Sequence, residues 1–215
     1  MKLNWYKRAI AFKTSQSWRS VPHVSFIFNI DAAKVLKTPK GVTVNTAVLY
    51  IIARAIKQAP QVNAHIRYNR LFAIGEIKIR EQINIAMPML LANGEMRTVA
   101  LIDAGSKTLP ELQDYINDIR QITLNSPEIK TADVIKWARE SKACTITVSN
   151  IGSLCKDLEG TLTMLQIIPP QVMAIGIGAI TKNKLPICIT FDHRALNFSD
   201  VLPFINALKN EFAVW

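Results

Sequence analysis

Leu185–Asp200 reads LPICITFDHRALNFSD, and the passage from its first half to its second sets the frame for the fold. Leu185 to Asp192 reads as a buried strand, and a helix runs from about Ser199 to Phe212 with Ser199 or Asn197 as its cap. A rigid strand therefore hands the chain to an exposed turn that carries an acid, a base and a cation in succession: Asp192, His193 and Arg194. A histidine so placed can take a proton from a thiol or hydroxyl while a hydrogen bond holds its second ring nitrogen. The same triplet also fits a surface histidine paired with a neighbouring carboxylate, and these residues alone leave both readings open.

Working outward, Cys144–Asn150 (CTITVSN) alternates so that Cys144, Ile146 and Val148 share one face of a strand and Thr145, Thr147 and Ser149 the other. The resulting ladder of hydroxyls suits a polar channel or an oxyanion site, but on these residues alone a solvent-facing sheet edge is favoured, since threonine is a good strand former. No G-x-S-x-G elbow marks Ser149 as a nucleophile.

Val44 to Ala59 places Val44, Ala47, Val48, Ile51, Ile52, Ala55 and Ile56 on one helical face, and Pro60 ends it. An N-terminal helix is expected over 4–16, then a strand over Val24–Ile30 and a short helix to Lys37 capped by Asp31. Ala64–Tyr68 and Leu71–Ile74 form an expected hairpin around Asn69-Arg70, and strands near Ile83–Leu90 and Arg97–Ile102 are separated by Asn93-Gly94. Helices are expected over Leu109–Thr123 and Thr131–Arg139, and a further strand over Val172–Ile180. With no Gly-, Pro- or Ser-rich linker, 1–215 reads as a single layered α/β domain with a mixed sheet.

Composition narrows the function. A chain of 215 residues, 49% of them hydrophobic, can bury one substantial core. Its longest apolar runs are too short to cross a bilayer, and its first twenty residues lack the apolar block of a secretory signal, so no membrane association and a cytoplasmic location are expected. Cys144, Cys155 and Cys188 form no C-x-x-C pair, and His23, His65 and His193 stand apart without ligand spacing, so reduced thiols and no metal are expected. The net charge of +10 favours polyanionic partners, but the basic residues are dispersed and no nucleic-acid-binding motif is present.

The two strand segments together resemble the catalytic domain of the dihydrolipoyl acyltransferases of 2-oxoacid dehydrogenase complexes. That family ends in D-H-R-x-x-D-G, matched by Asp192-His193-Arg194 and, with departures, by Asn197-Phe198. Its T-I-S-N-L-G strand is followed by Thr147-Val148-Ser149-Asn150-Ile151-Gly152. RAIAFKTSQSWRSVPHVSFIFNIDAAKV is similar to its opening helix, I-P-H turn and first strand, VNTAVLYIIARAIKQAPQVNA to its long helix and P-x-x-N-A turn, and INIAMPMLLANGEMRTVALIDA more loosely to its next two strands. The opening NWYKR also resembles the start of chloramphenicol acetyltransferase.

The resemblance implies a chloramphenicol acetyltransferase-like two-layer sandwich, with a mixed sheet and helices on one side. It also implies homotrimers with interfacial active sites, and larger assemblies of trimers. His193 would be the general base, Ser149 a donor to the oxyanion, Asn197 a catalytic polar group near the reacting centre, and Thr147 and Phe198 substrate-binding residues. Coenzyme A or its acyl thioester would be the substrate, and any lipoyl group would be carried by a separate protein, since the chain shows no lipoyl or peripheral-subunit-binding domain. Phe198 replaces a glycine that could require a positive backbone angle or close approach, which motivates an alternative: a non-catalytic trimeric scaffold. The ending Phe212-Ala213-Val214-Trp215 resembles the family's assembly tails, or is a helix end packed on its own subunit.

Overall fold

The computed structural model describes residues 2–90, 94, 96–125, 139–140, 142–156, 158–160 and 162–215. The chain opens with α1 (Trp5–Ser20), whose N-terminus is closed by Asn4 accepting the Lys7 N–H at 2.8 Å, and continues into β1 (His23–Asp31). Next comes a single 3-10 turn, Val35–Lys37, where a short helix was expected; Asp31 caps this bend by accepting the Ala33 N–H. The helix α2 (Val44–Gln58) ends one residue before the expected point. Thr43 caps it, and Gln113 accepts from both the Thr43 N–H and the Thr46 hydroxyl.

The hairpin is β2 (Ala64–Asn69) and β3 (Ile74–Ile79), so its second strand starts where it was expected to end. Asn69 explains the shift. Its side chain accepts the N–H groups of Leu71 and Phe72, and Ala73 takes a φ of +51°, which turns residues 70–73 into a loop. Then follow β4 (Ile85–Leu90), β5 (Met96–Leu101), α3 (Leu109–Asn125), β6 (Ile146–Asn150), β7 (Met173–Ile177), β8 (Lys184–Asp192) and α4 (Phe198–Val214). The expected helix over Thr131–Arg139 lies outside the described residues up to position 138, as does Asn93 of the expected turn.

Six strands make one mixed sheet in the order β1-β8-β7-β6-β4-β5, with β7, β6 and β4 parallel and the remaining pairs antiparallel. One face supplies Ile146, Val148, Met173, Ile175, Ile187, Ile189 and Phe191 to a core completed by α2, α3 and α4. The α2–α4 contact is also tied by Glu211, 8% exposed, which accepts from Arg54 and Gln58 at 2.6 Å each. At the chain end Phe212 is buried in this core and Trp215 meets Tyr50 edge-on, while Val214 is 74% exposed.

The other face is where the ladder of hydroxyls lies. The segment around Leu162–Ile167 crosses it: Leu162 sits over Gly176, and Leu165 N–H donates to Thr190 Oγ1. The rim is sealed where Ile167 N–H donates to His23 Nε2 and Gln166 donates to the Thr14 carbonyl of α1.

Two histidines at these joints are built to be neutral. His65 Nδ1 receives Arg80 Nε and Nη2 at 3.2 and 3.1 Å while Nε2 meets the Cys144 carbonyl at 2.9 Å, and His23 must keep a lone pair on Nε2 for Ile167. Burial lowers the pKa of both below 6.5, with Arg80 and Arg67 adding to the effect at His65 and Arg194 at His23, against partial opposition from Asp192 and backbone carbonyls. The unfolded chain therefore binds protons first as pH drops through about 6.5. Thermal stability is expected to fall between pH 7.5 and 5.5, and the slope to flatten in a His23→Gln/His65→Gln double variant. A melting temperature that rises over this interval would contradict the assignment.

Candidate active site

The strand β8 ends at Asp192, whose carboxylate is fully buried. Burying a carboxylate is costly unless it is paired, and the pairing here is with Arg194 instead of His193. Arg194 donates from its backbone N–H (3.0 Å) and Nε (2.9 Å) to Oδ1, and from Nη2 (2.5 Å) to Oδ2. Ala195 and Leu196 N–H both return to the Asp192 carbonyl, closing a compact turn. The expected reading of His193 as half of a surface histidine–carboxylate pair is thereby set aside.

His193 itself is exposed at the crest of this turn, its backbone N–H donating to the Pro22 carbonyl at 3.0 Å. Its Nδ1 lies 3.2 Å from the Leu196 carbonyl, and its ring meets Phe191 edge-on. A carbonyl oxygen can only accept, so the bond requires the proton on Nδ1 and leaves the Nε2 lone pair directed outward. That is the tautomer a general base needs.

The two residues that depart from the D-H-R-x-x-D-G pattern start α4. Asn197 is the N-cap, with its backbone N–H donating to Asp200 at 2.7 Å. Phe198 is the first helical residue and is not among the described residues with positive φ, so the turn needs no glycine for its backbone angle. Its ring is 43% exposed and meets Phe26 of β1 edge-on at 5.2 Å.

On the far face of the sheet the ladder of hydroxyls is mostly consumed. β6 lies inside the sheet, between β7 and β4, so the reading as a sheet edge does not hold. Thr145 is buried against Asn84, and Thr147 donates to Gln171 Oε1 at 2.7 Å. Ser149 is half-buried, and its hydroxyl has no partner among the described residues. Just beyond, Asn150 donates to Asn45, and Gly152 passes so close to the β7–β8 connection that an added Cβ would stand 2.2 Å from the Gly178 carbonyl oxygen.

The register separates the two principal residues. Ser149 pairs with Gly176, which pairs with Cys188, and His193 lies beyond Cys188 at the opposite end of the sheet. At about 3.3 Å per residue and about 4.8 Å per strand, they stand on the order of 15–20 Å apart within one chain. They cannot both touch one reacting carbonyl from the same subunit.

Other chemistry is scarce. Among the described residues no group of three metal-ligating side chains comes together, and no helix is long and apolar enough to cross a membrane. The three cysteines are unpaired, and burial raises the Cys144 thiol to about 12, so it is inert. Sequence reasoning missed the clamp of Arg194 on Asp192 and the consumption of Thr147 by Gln171, because Gln171 lies in a loop without a pattern.

Residues 1–212 match the family model described as the 2-oxoacid dehydrogenases acyltransferase catalytic domain. Among curated relatives, the dihydrolipoyllysine-residue acetyltransferase component of the pyruvate dehydrogenase complex from Corynebacterium glutamicum is 22% identical over 97% of this chain and 33% of its own length. Its Staphylococcus aureus counterpart is 26% identical over 97% of this chain and 50% of its own length, so the chain spans a third to a half of these relatives.

Among solved structures, a probable dihydrolipoamide acetyltransferase from Listeria monocytogenes has a TM-score of 0.82 at 19% identity, covering all of this chain and 94% of that one. The dihydrolipoamide acetyltransferase of Azotobacter vinelandii, solved in an investigation of the catalytic roles of a serine, a histidine and an asparagine, scores 0.74 at 18% identity, covering 99% of this chain and 90% of that one. Chloramphenicol acetyltransferase scores 0.66 at 16% identity, covering 97% and 96%.

Proposed function

The chain belongs to the family of 2-oxoacid dehydrogenase acyltransferase catalytic domains, and on that premise we propose that it moves an acyl group between a thioester, acyl-coenzyme A, and a thiol or hydroxyl acceptor, with His193 as the general base. The observation that carries this reading is the His193 ring, fixed through Nδ1 by the Leu196 carbonyl and free at Nε2.

In the proposed reaction Nε2 takes the acceptor's proton. The thiolate or alkoxide attacks the thioester carbonyl carbon, whose π pair moves onto oxygen. Ser149 of a neighbouring copy donates a hydrogen bond to that oxyanion. Collapse reforms the carbonyl and expels the coenzyme A thiolate, which recovers the proton from Nε2, so the base is regenerated.

The separation of His193 from Ser149 within one chain supports a site formed between copies, hence a trimer and, beyond it, an assembly of trimers. In the Azotobacter enzyme the investigated histidine and asparagine stand four positions apart, the spacing of His193 and Asn197, which supports a role for the Asn197 side chain close to the base. Phe198 then forms an apolar wall with Phe26 beside the site, and Thr147 holds the strand that presents Ser149. Residues 1–215 act as one catalytic unit, with a lipoyl group supplied by a separate domain or protein. The unpaired thiols support a reducing, cytoplasmic setting, and the charge of +10 suits the phosphates of coenzyme A.

Steady-state transfer from a panel of acyl-coenzyme A donors to dihydrolipoamide tests the proposal. Ser149→Ala is expected to lower kcat by about 10² with little change in KM, because the lost hydrogen bond strengthens only as charge develops. A variant that keeps wild-type kcat would remove Ser149 from the site. No transfer from any donor, with the trimer intact, would favour the scaffold reading.

A further inference from the structure

We infer that Tyr68, on the β2–β3 hairpin, is a positioning residue for His193: its ring supports the Arg194 guanidinium, which clamps Asp192 and so fixes the turn that aims the base. The inference rests on the acyltransferase reading for its kinetic consequence and on geometry for the rest.

The Arg194 guanidinium carbon stands 5.4 Å from the centre of the Tyr68 ring, within the reach of a cation–π contact. The same guanidinium makes a two-pronged pair with the buried Asp192 carboxylate, so one face of a planar cation is held by an aromatic ring while its edge is spent on a carboxylate. Asp192 is more than an ion-pair partner. Its carbonyl accepts both Ala195 and Leu196 N–H, which sets where the Leu196 carbonyl points, and that carbonyl holds His193 Nδ1.

The strand that carries the ring is itself anchored. β2 is pinned at its root, where Ile66 N–H donates to the Pro170 carbonyl at 2.8 Å and His65 bridges to Gln171. Tyr68 is nonetheless 42% exposed, so burial of its own surface is not its main contribution. What it supplies is the π face that Arg194 rests on. Without it Arg194 gains water on that side and more rotamers, Asp192 keeps its partner for less of the time, and the Leu196 carbonyl no longer holds the histidine in one tautomer.

Two variants separate this from a general structural role. Tyr68→Phe keeps the π face, and Tyr68→Leu keeps apolar bulk without it. In the trimeric protein, Tyr68→Leu is expected to lower kcat about tenfold, the scale of one cation–π contact, with KM close to wild type and the melting temperature lower by about 2–4 °C, while Tyr68→Phe restores kcat.

The decisive readout is the ring 15N spectrum of His193, which is assignable because the chain has only three histidines. Wild type and Tyr68→Phe are expected to show the Nδ1–H form, and Tyr68→Leu a mixture with Nε2–H. A Tyr68→Leu protein with an unchanged tautomer, or a Tyr68→Phe protein as altered as Tyr68→Leu, overturns the inference. Should the wild type transfer no acyl group at all, the enzymatic reading falls, and the tautomer comparison still decides the role of Tyr68.

Discussion

Replacement of His193 by alanine is expected to lower kcat for acyl transfer by about 10³-fold while leaving KM for acyl-coenzyme A and the melting temperature near their wild-type values. The magnitude is that of a positioned general base in the transition state. The selectivity follows from the setting: the ring is exposed, and its one side-chain hydrogen bond, to the Leu196 carbonyl, can be replaced by water at little cost in stability. Steady-state kinetics beside a thermal melt measure it. A residual kcat within a factor of ten of wild type would mean that another group removes the proton. A His193→Gln variant controls for lost bulk, because its amide can hydrogen-bond but has no lone pair basic enough to accept the proton.

The second large effect is on folding. Gly152→Ala is expected to cost about 3 kcal/mol, since the new Cβ would lie 2.2 Å from the Gly178 carbonyl oxygen and 2.7 Å from Ala179 Cα, which are backbone atoms that cannot swing aside. The strain falls just past Ser149 and Asn150, where Ile151 and Gly152 N–H meet the Ile177 carbonyl. Activity at low temperature should therefore fall as well. Denaturant unfolding of the two proteins checks the figure, and a difference below about 1 kcal/mol would mean that the β7–β8 connection yields more readily than the backbone packing implies.

The parts of the fold legible in the sequence are those where one periodicity dominates. The apolar residues from Val44 to Ile56 have no alternative to a buried helix face, and α2 lies within a residue of its expected bounds. Alternation in Cys144–Asn150 correctly sorted Ile146 and Val148 into the core and Thr147 and Ser149 onto the opposite face. It could not reveal that Asn84 and Gln171 would take up Thr145 and Thr147, because those partners come from elsewhere in the chain. The hairpin slipped because Leu71 and Phe72 have strand-like side chains, and only the Asn69 turn sends them into solvent at 83% and 66% exposure.

Within the proposed site, His193 and Ser149 were proposed from the two motifs that contain them. The partner of Asp192 was not legible. Adjacency in sequence suggested His193, but successive residues in a tight turn point different ways, and the carboxylate closes on Arg194 two positions on. Phe198 looked like an obstacle because a glycine's replacement suggests a strained angle; as the first residue of α4 it meets no such strain. Tyr68 could not be seen at all, since nothing local to it marks a contact with the turn after β8.

The central claim is that catalysis joins His193 of one copy to Ser149 of another, and co-assembly of the two single variants tests it most directly. His193→Ala and Ser149→Ala chains, each inactive or nearly so, are mixed in equal amounts, unfolded, refolded into trimers and assayed, with the trimeric state verified by mass. Random assembly places a chain with an intact His193 against one with an intact Ser149 at about a quarter of the interfaces, so activity should recover to about a quarter of wild type. Mixed trimers no more active than their parents would contradict the account.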